Sequence, residues 1–357
     1  MFLRNCWYAA AWSHELNRDS PIARTVIGEP IALARRSDGT PFALEDRCPH
    51  RFAPLSLGRK EGDSLRCMYH GLLFGADGRC QHAPGPPGGA PAPAVRSFPV
   101  IERDSWLWGW MGDTAQADAA LIPPAFGLDN PAWVMQSGQL DYEANYELVN
   151  DNLCDLSHLD FVHEGTLGLV TGGGWSDELP RIKPHQRSLR FERWFIGKTI
   201  PRSPALIDRW TTYDYYAPGV FIMENRSYPH GAAARNDFKV PDEPPISYRI
   251  EQQAVTPIDE RRTRYLYASG FEANIPAKLM EGMFEVVQNA FAEDRLMIEG
   301  QQRILDATPR DRRMSFLPSD KGPVAMRRLI ANLIRHETMP PRQQDDRSAA
   351  PNMTGRG

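Results

Sequence analysis

The sequence predicts an α+β protein of two domains, an all-β N-terminal domain and a C-terminal domain of strands and helices. Two Asp-Gly pairs, at 38–39 and 77–78, each lie between extended runs in the first third of the chain, a pattern typical of β-hairpins. Later, strand-like runs at about 187–270 follow a helical segment at about 143–163 and precede helices at about 280–306 and 324–337.

Length and composition indicate an ordinary globular protein. The 357 residues are 41% hydrophobic and 24% charged, enough for one large domain or two smaller ones. The net charge of -4 gives no reason to expect nucleic acid or an anionic membrane as a partner. No apolar run approaches a membrane span, and the opening MFLRNCWYAAAWSHEL does not resemble a signal peptide. We therefore expect a cytoplasmic protein.

The cysteines do not predict a disulfide scaffold. There are five, an odd number without framework spacing. Three of them, Cys6, Cys80 and Cys154, are interpreted as small buried apolar residues. The remaining two, Cys48 and Cys67, belong to the motif described below.

Within the N-terminal third, PIALARRSDGTPFALED and SLRCMYHGLLFGADGRC each predict a hairpin, and SWLWGWMGD alternates aromatic residues as a half-buried strand does. The proline- and glycine-rich segment 82–95 is predicted to be a surface loop. A composition shift at 112–124 suggests a domain boundary, which we place between 118 and 119. The domains are then 1–118 and 119–337, and the polar segment 338–357 is predicted to be a disordered tail.

Cys48 and His50 in CPHR, and Cys67 and His70 in CMYHG, form a metal-ligand set with one thiolate and one imidazole in each arm. A zinc finger usually groups like ligands, and two unrelated Cys/His pairs are the other alternative. Two hairpin loops of this kind can clamp a [2Fe-2S] cluster, with both cysteines on one iron and both histidines on the other. Neutral imidazoles in place of thiolates raise the reduction potential of such a cluster.

A second candidate metal site lies in VNDNLCDLSHLDFVHEG. A non-haem Fe(II) that activates O2 takes two histidines and one carboxylate. On an ideal helix, His158 and His163 lie about 140° apart, so the helix must end or bulge between them, near Asp160 and Phe161. Spacings of four and seven residues place Asp151, Asp155 and His158 on one helix face.

The third ligand is expected on the predicted helix GMFEVVQNAFAEDRLMIEGQQRIL. Asp294 falls within its apolar stripe, which a cation at this position would explain. The neighbouring Glu293 is the alternative ligand, and pairing of Asp294 with an arginine such as Arg295 is the alternative to metal binding. The apolar stripe contains Phe284, Val287, Phe291, Ile298 and Leu305.

These motifs resemble a known family. CPHR and CMYHG are similar to the Rieske motif of ring-hydroxylating and O-demethylating oxygenases. The run from Asp151 through Asp155 and His158 to His163 resembles their iron-binding motif, and AEDRLMIEGQQ resembles the segment that carries their carboxylate ligand. RNCWYAAAWSHEL, CPHRFAPLSLG and LWGWMGD resemble the vanillate and dicamba O-demethylase branch in particular, and the similarity extends over about residues 1–310.

The resemblance implies a Rieske domain followed by a helix-grip-like catalytic domain, with a [2Fe-2S] cluster, a mononuclear Fe(II) and O2 as co-substrate. It also implies a head-to-tail homotrimer in which Asp155 bridges His158 of its own chain and cluster ligand His70 of the next. Asn152 would lie near the iron. The implied reaction is O-demethylation of a methoxylated aromatic compound with release of formaldehyde.

Two other functions remain open at this point, hydroxylation of an aromatic ring or methyl group and pure electron transfer by a Rieske protein. The chain contains neither a dinucleotide-binding glycine fingerprint nor a plant-type ferredoxin cysteine run. We therefore expect a separate reductase, containing flavin and an iron-sulfur centre and supplied by NAD(P)H, with or without a ferredoxin. Donors for a carboxylate of the aromatic substrate remain open among Arg209, Arg226 and His230.

Overall fold

Strands dominate the computed structural model, which describes residues 1–85, 94–199, 205–273, 276–309 and 311–338. In chain order, the strands of these residues are Trp7–Trp12 (β1), Ile22–Val26 (β2), Glu29–Arg35 (β3), Pro41–Glu45 (β4), Arg59–Glu61 (β5), Ser64–Arg66 (β6), Leu73–Gly75 (β7), Cys80–His82 (β8), Ser97–Phe98 (β9), Val100–Arg103 (β10), Trp106–Trp110 (β11), Trp133–Tyr142 (β12), Arg181–Pro184 (β13), Ser188–Thr199 (β14), Leu206–Tyr216 (β15), Val220–Pro229 (β16), Ser247–Pro257 (β17) and Thr263–Glu272 (β18). The helices are Tyr146–Cys154 (α1), Leu167–Thr171 (α2), Ala232–Arg235 (α3), Ala277–Ala307 (α4) and Lys321–Thr338 (α5).

The N-terminal part is built from small antiparallel sheets. Their strand orders are β1-β11-β10, β2-β3-β4-β9 and β5-β6-β7-β8. Both predicted hairpins are confirmed, because β3 pairs with β4 across Gly39 and β7 pairs with β8 across Gly78. Both glycines have the positive φ that these turns require, +94° and +82°. A Cβ atom at Gly78 would also collide with the carbonyl oxygen of Val95.

A seven-stranded antiparallel sheet forms the centre of the C-terminal part. Its order is β12-β18-β17-β16-β15-β14-β13. One face packs against α1, α4 and α5, whose apolar residues share a core with the sheet. The predicted strands and the two predicted C-terminal helices are confirmed, whereas the predicted helical segment 143–163 is α-helical only over Tyr146–Cys154. Among the described residues, no helix has the length and apolarity needed to cross a bilayer.

The opposite face of the large sheet is covered by the N-terminal part. Trp106, Trp108 and Trp110 of β11 pack against this sheet in one cluster, while Leu107 enters the core of the N-terminal part. The strand is therefore buried on both faces, and the expectation of a half-buried strand was wrong. The alternation was correctly recognised, but the second face is covered by residues distant in sequence.

The long helix α4 confirms the predicted apolar stripe. Val287, Phe291 and Ile298 are buried against the sheet, and Asp294 lies among them with only 4% of its surface exposed. The terminal helix α5 packs on α1, and the carboxylate of Glu337 accepts hydrogen bonds from the backbone at the chain's N-terminus, including one of 2.6 Å from Asn5 N.

Two predictions of chain organisation lie at the edges of this description. Part of the predicted surface loop, residues 86–93, and nearly all of the predicted tail, residues 339–357, fall outside the described residues. Near the predicted boundary, Asp113 and Asp118 cap short 3-10 turns, and Trp7 Nε1 donates to the carbonyl oxygen of Asp118 at 2.8 Å. The boundary after residue 118 stays a proposal.

Candidate metal centres and active site

The two Cys/His loops have the same backbone plan. Cys48 N donates to the carbonyl oxygen of Ala53 at 2.9 Å, and Phe52 N donates to that of Cys48 at 2.8 Å. In the other loop, Cys67 N donates to Leu72 O at 2.8 Å and Gly71 N donates to Cys67 O at 2.9 Å. Each turn therefore holds its cysteine by the same pair of bonds. In each, the fourth residue after the cysteine has a positive φ.

The loops bring like ligands together. The Cys48 and Cys67 side chains are buried and within hydrogen-bond reach, and burial is the main cause that raises the pKa of the Cys48 thiol. His50 and His70 are exposed, with ring centroids 4.4 Å apart. A thiol pair inside and an imidazole pair outside fit a cluster in which each iron takes one pair.

A break between α1 and the next helical turn positions the first histidine of the second site. The helix ends at Cys154, and Asp155 adopts extended backbone angles. Its side chain accepts from Ser157 N at 2.9 Å and so caps the 3-10 turn Leu156–Asp160. That turn ends before Phe161, which confirms that the helix does not continue to His163.

This break separates residues that the spacing had placed on one face. Asp151 faces α5, where its Oδ2 accepts from Arg327 Nη2 at 2.6 Å. The one-face alignment of Asp151 with Asp155 and His158 was therefore wrong, because it assumed a continuous helix. Burial raises the pKa of the Asp151 carboxyl, against the lowering effect of Arg327.

His158, His163 and Asp294 come together. Their ligand atoms all lie within 4.8 Å of one another. His163 Nε2 is 3.2 Å from Asp294 Oδ1, and His158 Nε2 is 3.4 Å from the same oxygen. Asn152 Nδ2 donates to this oxygen at 2.9 Å and lies 3.3 Å from His158 Nε2.

The Nδ1 atoms of both histidines are held on their far sides. His158 Nδ1 lies 2.6 Å from the backbone oxygen of Asp155, and His163 Nδ1 lies 2.8 Å from Glu293 Oε2. With Nδ1 protonated and donating, each Nε2 lone pair points towards Asp294. This is how proteins orient metal-binding imidazoles, so the donor set fits a mononuclear iron with two histidines and one carboxylate.

The two adjacent acidic residues therefore occupy different places. Asp294 lies on the Nε2 side, and Glu293 lies behind His163, where its carboxylate also accepts from Thr166 Oγ1 at 2.8 Å. No ion pair joins Asp294 to an arginine among the described residues, and Arg295 instead lies near Glu299.

Burial and charge act differently on the two imidazoles. Burial lowers the pKa of His158. At His163, burial also acts to lower the pKa, but the carboxylates of Asp294 and Glu293 outweigh it and raise the pKa. A metal ion at this position would take over the role of that proton as the partner of the carboxylates.

The ligand set opens into a mostly apolar pocket of about 560 Å³, a volume that includes space open to solvent. Leucine, phenylalanine, methionine and valine side chains from α1, α4 and the sheet line it, and Arg249 and Glu251 add polar groups. Sequence reasoning missed Arg249, Glu251 and Trp175. The alternation of Arg249, Glu251 and Gln253 was the available signal, because it places polar groups on one face of a strand.

Comparisons with known proteins agree with this geometry. Residues 142–336 match the vanillate O-demethylase oxygenase C-terminal domain, and residues 6–99 match the Rieske [2Fe-2S] domain. The chain belongs to this family of Rieske oxygenase components.

Relatives of this oxygenase component are similar over nearly their whole length. A toluene-4-sulfonate monooxygenase system iron-sulfur subunit of Comamonas testosteroni is 37% identical, covering 94% of this chain and 98% of that protein. The dicamba O-demethylase oxygenase component of Stenotrophomonas maltophilia is 33% identical, covering 85% and 88%. The crystal structure of dicamba monooxygenase bound to dicamba is 31% identical with a TM-score of 0.81, covering 94% and 98%.

These findings confirm several predictions. The α+β fold with an N-terminal Rieske domain is confirmed, as is the assignment to a Rieske non-haem iron oxygenase with a [2Fe-2S] cluster and a mononuclear iron. A protein limited to electron transfer would not need the second domain or its buried ligand set.

Proposed function

We propose that this oxygenase component O-demethylates a methoxylated aromatic compound and releases formaldehyde. The observation that carries the proposal is the set of His158, His163 and Asp294 at the head of an apolar pocket. The names of the dicamba and vanillate O-demethylase relatives support it. Hydroxylation of the methyl carbon gives a hemiacetal that collapses to a phenol and formaldehyde. The second oxygen atom of O2 is reduced to water, which consumes two electrons and two protons.

Cys48 and Cys67 would hold one iron of the Rieske cluster, and His50 and His70 would hold the other. The three residues at the head of the pocket would hold the mononuclear iron. When bound, the cluster supplies single electrons and the mononuclear iron supplies O2 activation.

The chain's own residues position the site and keep it dry. Asn152 holds the Asp294 oxygen that lies nearest both imidazoles, and Glu293 with the Asp155 carbonyl fixes the rings. The apolar wall packs around an aromatic ring and excludes water, which prevents side reactions of the activated oxygen.

Electrons must reach the site from another protein. We propose a reductase with flavin and an iron-sulfur centre, supplied by NAD(P)H, with or without a ferredoxin. The exposed Phe52 and Met68, in the same two loops as the cluster ligands, offer an apolar surface where the reductase or ferredoxin can approach the cluster.

We also propose a homotrimer with electron transfer between subunits. Asp155 would link the iron site of one chain to His70 of the partner subunit. Two contacts support a role in transfer, since the Asp155 backbone holds His158 and the side chain caps the adjacent turn. The backbone oxygen of Asp155 would then hold His158, and its carboxylate would orient the imidazole of the partner subunit's His70 and respond to its charge.

The test combines the purified protein, a surrogate reductase and NADH with a panel of methoxylated aromatic acids. We expect formaldehyde in amounts equal to the substrate consumed, and none from an Asp294→Ala variant. NADH and O2 consumption with neither formaldehyde nor a hydroxylated product from any of several panels would contradict the proposal.

A second candidate is hydroxylation of an aromatic ring or methyl group. The similarity to the toluene-4-sulfonate monooxygenase subunit favours it, because that identity of 37% exceeds the 33% of the dicamba O-demethylase component. A hydroxylated product without formaldehyde in the same assay would establish this reaction instead.

A further inference from the structure

Three arginines lie together at one end of the large sheet, on the face that carries the pocket. The register pairs Arg193 with Thr211, Thr211 with Asn225, and Asn225 with Arg249. Directly paired residues of antiparallel strands point to the same face, so these side chains form a row across four strands. Arg209 stands beside this row, two residues before Thr211 on β15.

Arg209 is placed against the wall of the pocket. Its side chain is 7% exposed, and its Nη1 donates to the backbone oxygen of Thr171 at 2.9 Å. The guanidinium carbon lies 5.4 Å from the ring centroid of Trp175. Thr171 and Trp175 both line the pocket, so Arg209 lies directly behind it.

Several donors in this group have no acceptor among the described residues. They are Arg193 Nε, Arg209 Nε and Nη2, Arg249 Nε and Asn225 Nδ2. In this structure Asn225 Oδ1 does not serve them, since it accepts from Thr211 Oγ1 at 2.8 Å. Arg249 Nε is 3.0 Å from Glu251 Oε1, but outside hydrogen-bond geometry.

The positive charge of the group exceeds the negative charge facing it. Arg193 donates to neutral acceptors, the Glu178 backbone oxygen at 3.0 Å and the Tyr213 hydroxyl at 2.8 Å. Among the described residues, Glu251 is the carboxylate paired with the group. Burial, with Arg249 and Arg193 adding to it, lowers the pKa of Arg209 to about 9. A buried cation without a counter-ion is unfavourable.

We propose that Arg249 on the pocket wall, with Arg209 and Asn225 behind it, forms an anion subsite at this end of the pocket, which binds the carboxylate or sulfonate group of an aromatic acid. The inference rests on the proposed function and specifies its substrate class. Guanidinium groups bind planar and tetrahedral oxyanions through several parallel hydrogen bonds, and the unpaired donors here supply them. The acid group would lie at the arginine end of the pocket and the ring nearer the histidines.

The other donors that the sequence left open are already paired. Arg226 points to the opposite face of the sheet, where its Nη2 lies 2.6 Å from Glu224 Oε2. His230 Nδ1 lies 2.9 Å from Asp208 Oδ1, and the His230 side chain is 50% exposed. Neither offers a buried, unpaired donor to the pocket.

The experiment measures equilibrium binding by isothermal titration calorimetry, with the iron-loaded protein, without O2 and without reductase. The probes are 4-methoxybenzoate, 4-methoxybenzenesulfonate and the uncharged 4-methoxybenzamide. We expect one or both acids to bind about tenfold to a hundredfold more tightly than the amide, as charge-assisted hydrogen bonds would give. The comparison between the two acids tells which oxyanion the subsite prefers.

Variants assign this preference to the arginines. Arg209→Gln and Arg249→Gln should each lose most of the preference for the acid, while Arg226→Gln, an arginine of the opposite face, should keep it. Arg209→Lys retains the positive charge but has fewer hydrogen-bond donors, so it should lose part of the preference for the acid. This variant tests the role of Arg209 if Arg209→Gln does not fold. Equal binding of acids and amide, or unchanged acid binding in the folded Arg209 and Arg249 variants, would overturn the inference.

The anion subsite and O-demethylation can be rejected independently of each other. Acid binding through the arginines without formaldehyde in the complete assay would reject O-demethylation but leave the anion subsite. Formaldehyde release from the amide with the same kcat/KM as from the acids would reject the subsite but leave O-demethylation.

Discussion

The adjacent residues Glu293 and Asp294 have different roles at the candidate iron site. Asp294 lies between the Nε2 atoms of two histidines, and Glu293 lies behind one of those rings. One residue along a helix is a rotation of about 100°, which is enough to place one carboxylate on the metal side and the other on the supporting side.

The first prediction separates these two roles. Asp294→Ala should lose the mononuclear iron and retain the cluster, because the carboxylate ligand is gone. Glu293→Ala should retain iron with an affinity lower by about 10- to 100-fold, because His163 loses its orienting partner. Iron analysis and titration measure both effects, and Glu285→Ala, an exposed position on the same helix, is the control. Iron loss only in Glu293→Ala would reverse the assignment.

A second prediction concerns Asp155. Asp155→Asn keeps the backbone oxygen that holds His158 and an oxygen that can cap Ser157 N, so both iron centres should stay bound, but it removes the charge that the proposed link to His70 of the partner subunit requires. We expect the rate of electron transfer from cluster to iron to fall by about 10- to 100-fold. Single-turnover oxidation of the reduced cluster measures this rate, with Glu164→Gln as an exposed control. A normal rate would reject the bridging role.

Among the elements, α5 holds the iron-site helix α1 in place. Arg327 reaches both Glu147 and Asp151, and the other end of α5 binds the backbone at the N-terminus through Glu337. The terminal helix thereby connects the helix that begins the ligand segment to the start of the Rieske domain.

The third prediction tests this connection. Arg327→Gln should lower stability by about 1–2 kcal/mol, a modest amount because the arginine is partly exposed. Adding Asp151→Asn should recover part of the loss, because it removes the carboxylate left without a partner. Thermal unfolding of the double-mutant cycle measures the coupling, with the exposed Arg328→Gln as control. Additive effects of the two substitutions would show that the pair does not stabilise α1.

At the scale of the whole molecule, the tryptophans of β11 join the two domains. They are buried against the outer face of the large sheet, while the pocket lies on its inner face. Hydrogen bonds cross the same boundary, from Trp12 Nε1 to the Gly138 oxygen at 3.1 Å and from Thr256 Oγ1 to the Ala9 oxygen at 2.7 Å. We infer that the domains unfold together.

The fourth prediction follows from this packing. Trp108→Ala should cost about 3–5 kcal/mol and shift one calorimetric transition in which cluster and mononuclear iron are lost together. Phe74→Ala creates a cavity within the N-terminal core alone and serves as the comparison. If the domains unfold together, it should shift the same transition. Separate transitions, with the C-terminal domain unaffected by Trp108→Ala, would contradict coupled unfolding.

The sequence by itself determined the features that depend on local spacing. Asp-Gly turns, the paired Cys/His loops, the necessary break before His163 and the stripe position of Asp294 all follow from a few neighbouring residues and the geometry of helices and strands. The family resemblance rests on the same short motifs.

The tertiary structure decided what depends on contacts between distant residues. It removed Asp151 from the ligand face by binding it to Arg327, and it buried both faces of β11. It also placed Arg209 and Arg249 beside one pocket. Neither spacing nor composition could show this, because no single segment of the sequence determines the order of strands in a sheet. Local geometry determines which side chains share a face of a helix or strand, but only the tertiary packing determines which residues contact that face.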